Sequence, residues 1–327
     1  MFICVNLWLL NRDFHPMSYL VNLTLRIAAA AQQLPASLAD RHAAYLAAAQ
    51  ESDGGFAGRR GESDLYYTGF AVRGLALLGR LSPEHAQRVA AFLGSRLSQP
   101  LAPVDFLSLV FTAMLLDAMV GQDVFAAAGL DRAATVREFI ARHRRADGGY
   151  AKSQRSPVSS TYHTFLAVAC LELLGLPREQ SEQTVELIHR RCRPDGGFVE
   201  LEPMTQSGTN PTAAAVGLLE LLGALDDSVR QPAASFLARM QTAEGGLRAH
   251  DRIPLADLLS TFTGLVALDD LRRPDAVDLS AVIRFAEGLQ QPQGGFCAGA
   301  WDETPDVEYT FYGLATLAMA ERMKDEG

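Results

Sequence analysis

Acidic and aromatic side chains crowd the stretch PDVEYT, which places Asp306 and Glu308 two residues apart with Tyr309 beside them. A pair of carboxyl groups can divide acid and base duties when their surroundings push their proton affinities apart. On a helix, however, residues at this spacing point in different directions, and an acid at a helix start commonly serves only as a cap. A related motif, SDLYYT, sets Asp64 just before Tyr66 and Tyr67. Should the chain close on itself, Asp64 becomes a neighbour of Asp306 and Glu308, and the three form a candidate acid–base group. Metal chemistry has less to work with, because Cys4, Cys170, Cys192 and Cys297 show no CxxC or other ligand spacing. They are also too sparse for a disulfide framework, and a reducing cytoplasm is the compartment expected.

The elements that position these residues are set by a repeat. Glycine pairs followed by an aromatic residue or Leu occur as DGGF at Asp53, DGGY at Asp147, DGGF at Asp195, EGGL at Glu244 and QGGF at Gln293. Their second glycines stand at 55, 149, 197, 246 and 295, so the steps are 94, 48, 49 and 49, and the first step spans two units. The unit without glycines is LAPVDFLSLVFTAMLLDAMVG, beginning at Leu101. Six units follow, each with two helices. One is apolar on all sides, approximately over 64–78, 104–119, 160–174, 210–222, 256–269 and 306–320. The other is amphipathic, as at Ser82 to Leu97, where Ser82 can cap and Pro83 sits at the first helical position. Gly79, Gly175 and Gly223 follow the LALLG and LELLG endings as C-terminal caps. Units of this size cannot bury both helices alone, so neighbours must stack, and an inner layer apolar all round implies a closed ring. The expected fold is all-α, with six inner and six outer helices in a closed barrel.

Composition agrees with a globular chain: 48% of the 327 residues are hydrophobic and 20% are charged. A net charge of -9 argues against nucleic acid as a partner. No apolar run is read as approaching the roughly 18 to 20 residues that a spanning helix needs, so no transmembrane segment is expected, and MFICVNLWLL lacks the features of a signal peptide. Residues 1–16 are an uninformative extension, with Met17 an alternative start, and 17–327 are read as a single domain.

The turns combined with inner helices, best seen in DGGFAGRRGESDLYYTGFAVRGLALLG and SSTYHTFLAVACLELLG, resemble the β subunits of protein farnesyl- and geranylgeranyltransferases and, more distantly, the squalene-hopene cyclases. The resemblance covers about residues 36–322 and implies an α/α toroid whose interior receives an isoprenoid. Aromatic residues on the inner helices would line it, among them Tyr66, Tyr67, Tyr162, Phe262 and Tyr312 as substrate-binding candidates; simple core packing is the alternative for each.

The same resemblance implies a zinc site made of Asp and Cys on the fifth inner helix and His on the sixth. Aligning Thr68, Thr164, Ser260 and Thr310 puts those positions on Ala256, Leu258 and Tyr309. A slip of one residue recovers Asp257 alone, so no family-type zinc is expected; Mg²⁺ accompanying a diphosphate substrate remains compatible. The tripeptide YHT that carries the family's His occurs at His163 on the third inner helix, with Asp105 and Asn210 as expected polar neighbours. Arg248, His250 and Arg252 in LRAHDRIPLADLL take the place of the family's diphosphate-binding cations, and Asn210 that of a further His. The cyclases' D-x-D-D run is absent. The reading is an isoprenoid-processing protein that transfers or ionises a prenyl diphosphate without zinc. A non-catalytic isoprenoid or lipid carrier and a cyclase-like enzyme are the alternatives. The family's α-type partner subunit is conceivable and not indicated.

Overall fold

The computed structural model describes residues 18–326. Along the chain run α1 (Tyr19–Ala31), α2 (Ala36–Ala48), α3 (Leu65–Leu77), α4 (Pro83–Arg96), α5 (Pro103–Val120), α6 (Val124–Ala127) and α7 (Arg132–Ala141). They are followed by α8 (Thr161–Leu173), α9 (Ser181–Arg190), α10 (Thr209–Leu221), α11 (Asp227–Ala238), α12 (Leu258–Asp270), α13 (Leu279–Gly288) and α14 (Val307–Glu326). Helices apolar all round form the inner layer, because each of their faces must meet protein. In α14, every residue from 310 to 320 is buried. The inner ring runs α3, α5, α8, α10, α12, α14 and back to α3. The outer layer is α2, α4, α7, α9, α11 and α13, which expose one polar face. Among the described residues there are no strands beyond isolated bridges at the turns, and the all-α toroid expected from the repeat is the fold observed.

The glycine pairs explain how neighbouring units touch. The first glycine of each pair has positive φ, from 85° at Gly196 to 100° at Gly245 and Gly294. A Cβ on Gly54, Gly148, Gly196 or Gly245 would strike the backbone carbonyl of the following outer helix, at Arg88, Gln183, Pro232 and Ala281. Gly294 meets Arg41 on α2 in the same way, so the last turn packs against the first outer helix and the ring closes. The residue after each pair is pinned by a hydroxyl. Backbone N–H groups of Phe56, Tyr150, Phe198, Leu247 and Phe296 donate to Oγ1 of Thr68, Thr164, Thr212, Thr261 and Thr310, at 2.9 to 3.2 Å. The equivalent of Thr68 in the fifth unit is therefore Thr261, where the sequence alignment used Ser260.

Helix α5 replaces the missing glycine turn with Pro103 at its start and is longer than its neighbours, 18 residues. That makes it long and apolar enough, by composition, to cross a membrane. It is instead one stave of the inner ring, packed between α3 and α8, which accounts for its apolarity. The sequence reading, which found no run of that length, is corrected on this point.

Helix α1 lies outside the six pairs. It contacts α3, α8 and α14, and Tyr19 reaches α12 and α10. The Tyr19 hydroxyl donates to Asp270 Oδ2 at 2.6 Å and sits where a Cβ on Gly217 would be. One helix can touch five of six staves only by crossing the ring's axis. It does so at the C-terminal ends of the inner helices, where Arg26 pairs with Asp269 and Asp270 and the Tyr19 N–H donates to Glu172 at 2.9 Å.

Two glycine substitutions separate close approach from backbone freedom. Gly196→Ala puts a methyl 2.3 Å from the Pro232 carbonyl oxygen and should lower stability to urea by about 3 kcal/mol. Gly79→Ala, at φ 66° with open space around it, should cost only about 1 kcal/mol. Equal losses would mean that the turn does not bear on the next helix.

Candidate functional site

Four of the inner helices begin on a capping side chain. Asp64, Ser160, Asp257 and Asp306 accept from the backbone N–H three residues on, at Tyr67, His163, Ser260 and Tyr309, at 2.7 to 3.2 Å. Asp306 also accepts from Nε of Arg59 at 2.9 Å, while the two terminal nitrogens of Arg59 hold Asp302 and the guanidinium lies over the Tyr309 ring. This bridge joins the first unit to the sixth. Closure does gather the acids, since Tyr67 lies in the field of Glu308, Asp306 and Asp64 together. Two of the three, Asp64 and Asp306, are engaged as caps.

Glu308 is different. It turns toward the axis, is 8% exposed, and accepts a 2.6 Å hydrogen bond from the Tyr66 hydroxyl. Burial raises its pKa, the Tyr66 hydrogen bond opposes the rise, Asp306 adds to it, and Arg73 works against it. Around the pair, rings from three staves interlock. Tyr66 meets Phe70 at 4.8 Å, Phe70 meets Tyr312 at 5.0 Å, Tyr312 meets Phe262 at 5.4 Å, and Tyr309 meets Tyr312 at 6.1 Å. All but the tilted Tyr312–Phe262 pair are edge-to-face contacts. Burial raises the Tyr66, Tyr309 and Tyr312 phenols and pushes Tyr162 up to about 12, so all are neutral at ordinary pH. Tyr162 keeps 39% of its surface accessible although Arg73 and Glu308 both act on it.

The family follows from the whole chain. Residues 16–102 and 106–326 match the prenyltransferase alpha-alpha toroid domain. The chain belongs to that family. No curated protein matches it in sequence. Among solved structures it is similar to Candida albicans protein geranylgeranyltransferase-I complexed with GGPP, at 15% identity and TM-score 0.71 over 88% of this chain and 92% of that one. A variant of the type II terpene cyclase MstE from Scytonema, in complex with geranylgeranyl dihydroxybenzoate, aligns at 14% identity and TM-score 0.61 over 93% and 99%. A GH76A alpha-1,6-mannanase from Salegentibacter aligns at 13% and 0.63 over 88% and 99%. At these identities the likeness is one of fold, and the toroid alone does not name a reaction.

With the register fixed by Thr261, the positions of the zinc set implied by the transferase resemblance are Asp257, Leu259 and Tyr309. Asp257 fits the pattern, yet its two oxygens are taken by the Ser260 N–H and hydroxyl at 2.7 and 2.8 Å. Leu259 offers no donor atom, and the Tyr309 phenol is held neutral. These residues do not fit a zinc ion of that kind, and no step is derived through one.

Other candidates lie apart from the axial group. His163 shares a hydrogen with Ser160 Oγ at 2.8 Å and borders a void of about 10 Å³ with Phe139, His143 and Tyr150, between the inner and outer layers. Its neighbour is His143 rather than the expected Asp105 and Asn210. Asn210 accepts from the Thr263 hydroxyl at 2.7 Å, linking α10 to α12. Arg248 donates to the carbonyl of Arg239 at the end of α11, and the His250 ring accepts from the Arg252 N–H within their loop. Arg248 thus reaches the outer layer, and Arg252 is exposed in the loop.

Sequence reading missed Arg73, midway along α3. The guanidinium carbon lies 4.1 Å from the Phe70 ring centre and 5.0 Å from that of Phe311. A single cation within LYYTGFAVRGLAL was the available signal.

Burial and the cations His143 and Lys152 push His163 down to about 4. Its ring should remain neutral to pH 5 when followed by NMR. Because the folded pKa lies below the unfolded one, its share of stability is complete above pH 6.5 and is lost as the pH falls toward 4. A midpoint near 6.5 would place His163 in water.

Proposed function

We propose that this toroid is an isoprenoid-processing enzyme that takes a polyene along its axis and moves a proton onto it from Glu308. The observation that carries the reading is the Tyr66–Glu308 pair, a carboxyl group pushed toward its neutral form within interlocked aromatic rings. Tyr162 keeps an accessible face beside these rings, against which an apolar chain would transfer at about 25 cal/mol per Å² of buried surface. In the step itself, the O–H bond of Glu308 breaks as a C–H bond forms at one alkene carbon. The π pair is consumed, and the cation at the other carbon faces the Tyr66, Tyr162 and Tyr312 rings, whose electron-rich faces favour positive charge. Loss of a proton from the cyclised cation back to the carboxylate restores Glu308, so the product is an isomer of the substrate. Membership of the prenyltransferase toroid family supports the isoprenoid class.

Ionisation of a prenyl diphosphate draws less support, because Arg248 donates to the outer layer and Arg252 is exposed in its loop. That placement favours a carrier as the second reading.

Incubation with farnesol, farnesoic acid, and farnesyl and geranylgeranyl diphosphates separates these outcomes by mass spectrometry. Products of unchanged mass are expected. Release of inorganic diphosphate would support ionisation, and ligand bound unchanged would support the carrier. Glu308→Gln should keep ligand affinity and lower turnover at least about 100-fold. Since the protonated carboxyl is the working form, the rate should fall as pH rises through its elevated pKa. Tyr66→Phe removes a hydrogen bond that favours the carboxylate and should move that fall to higher pH.

A further inference from the structure

Several half-buried arginines have carboxylate partners: Arg26 with Asp269 and Asp270, Arg59 with Asp302 and Asp306, Arg132 with Asp117 and Asp123, and Arg322 with Asp269. Others, such as Arg145 and Arg193, donate from their terminal nitrogens to backbone carbonyls, and buried Arg191 donates from both of its own to Ser159 and Thr161 oxygens. Arg73 has neither kind of partner for its terminal nitrogens. Its Nε donates to the Gly69 carbonyl of its own helix at 3.0 Å, and among the described residues no carboxylate lies within ion-pairing distance of its terminal nitrogens.

The side chain leaves α3 two and a half turns below its cap, about 13 Å along the helix, and folds back toward the N-terminus as helical side chains do. Its Nη2 comes to 3.8 Å from where a Cβ on Gly69 would stand, so the group lies along its own helix. The guanidinium carbon thus lies over the Phe70 and Phe311 rings, with Tyr66, Tyr162, Tyr312 and Glu308 near enough to act on it. Its terminal nitrogens remain free to donate, and a guanidinium fork takes a carboxylate or phosphate through two parallel hydrogen bonds.

We infer that Arg73 is the recognition site for an anionic group on the ligand, and that the isoprenoid taken up by the barrel is a monoanion, an acid whose carboxylate sits inside the ring against Arg73. The inference rests on the isoprenoid reading above. A fixed cation inside the barrel also repels a carbocation, so the reacting alkene lies mouthward of it, at Glu308. Charge decides between anions. One guanidinium balances one negative charge, whereas a diphosphate would bring two or three. The phenol hydroxyls can add hydrogen bonds to a carboxylate and can supply no further positive charge.

Isothermal titration of the full chain at neutral pH with farnesoic acid, farnesol and farnesyl diphosphate tests this. Farnesoic acid should bind the wild type about 10- to 100-fold more tightly than farnesol. Arg73→Met, close in shape and apolar, should abolish that preference while farnesol affinity holds or rises, and Arg73→Lys should recover part of it. The wild-type comparison stands even if Arg73→Met fails to fold. Equal binding of farnesol and farnesoic acid would overturn the anion site and leave the isoprenoid reading intact. Tightest binding of farnesyl diphosphate, lost in Arg73→Met, would overturn the monoanion assignment. Failure of all three probes to bind would sink the isoprenoid reading, and this inference with it.

Discussion

Backbone-to-backbone contact between each turn and the next outer helix is the constraint on which the molecule depends. Only a residue without Cβ, free to take positive φ, lets Gly196 sit against the Pro232 carbonyl or Gly294 against Arg41. Five such contacts fix the rotation from one unit to the next, and the last makes the annulus close. Closure then creates the chemistry. It sets Arg59 of the first unit against Asp302 and Asp306 of the sixth, and Tyr66 of α3 against Glu308 of α14. Neither pair is near in sequence, and neither would exist in an open superhelix.

Closure also changes what an inner-helix polar residue means. In an open solenoid a charged residue on an inner helix can reach water on the concave face. In a closed ring the same position faces other side chains, so its charge must be paired, stacked or met by a ligand. Asp306 is paired and Asp64 caps, both with carboxylates spoken for by the fold. Glu308 is met by a phenol that donates to it, and Arg73 by two aromatic faces and the Gly69 carbonyl of its own helix. An acid and a cation share one interior without forming an ion pair, which is costly for packing alone and natural for a site that a ligand completes.

Much of this was legible in the glycine spacing. The six units, the inner helices to within two residues at their starts, and the caps at Ser82 and Gly79 follow from residue types with specific backbone roles. Side-chain direction did not. Ser260 and Thr261 are equally good hydroxyls on paper, and only the Leu247 N–H shows which one the turn uses. Phe106 counts as an inner-helix aromatic in the sequence, yet it stacks on Phe139 of the outer layer at 3.8 Å. His163 and Tyr162 are adjacent and their rings touch edge to face, yet the first borders the interlayer void and the second lies within reach of Arg73 and Glu308. Arg73 escaped because a lone cation on a helix is ordinarily its solvent-facing side, and this helix has none.

The two ends of the ring are not equivalent, and electrostatics accounts for the difference. Inner helices end on Glu172, Asp269 and Asp270, acids at the negative poles of their dipoles, where such charge is unfavourable. Burial makes it worse and pushes Asp270 up to about 6. Helix α1 answers with Arg26 on Asp269 and Asp270, and with Tyr19 supplying its hydroxyl to Asp270 and its N–H to Glu172. Removing α1 would strip Asp270 of its Arg26 and Tyr19 partners and leave Asp269 with Arg322, so the helix answers the charges it covers as well as burying apolar area. The end it covers is therefore held shut by charge as well as packing. Any ligand must then arrive from the opposite end, past the Tyr66–Glu308 pair before it reaches Arg73, and the order of these groups along the axis becomes the order in which an amphipathic molecule meets them.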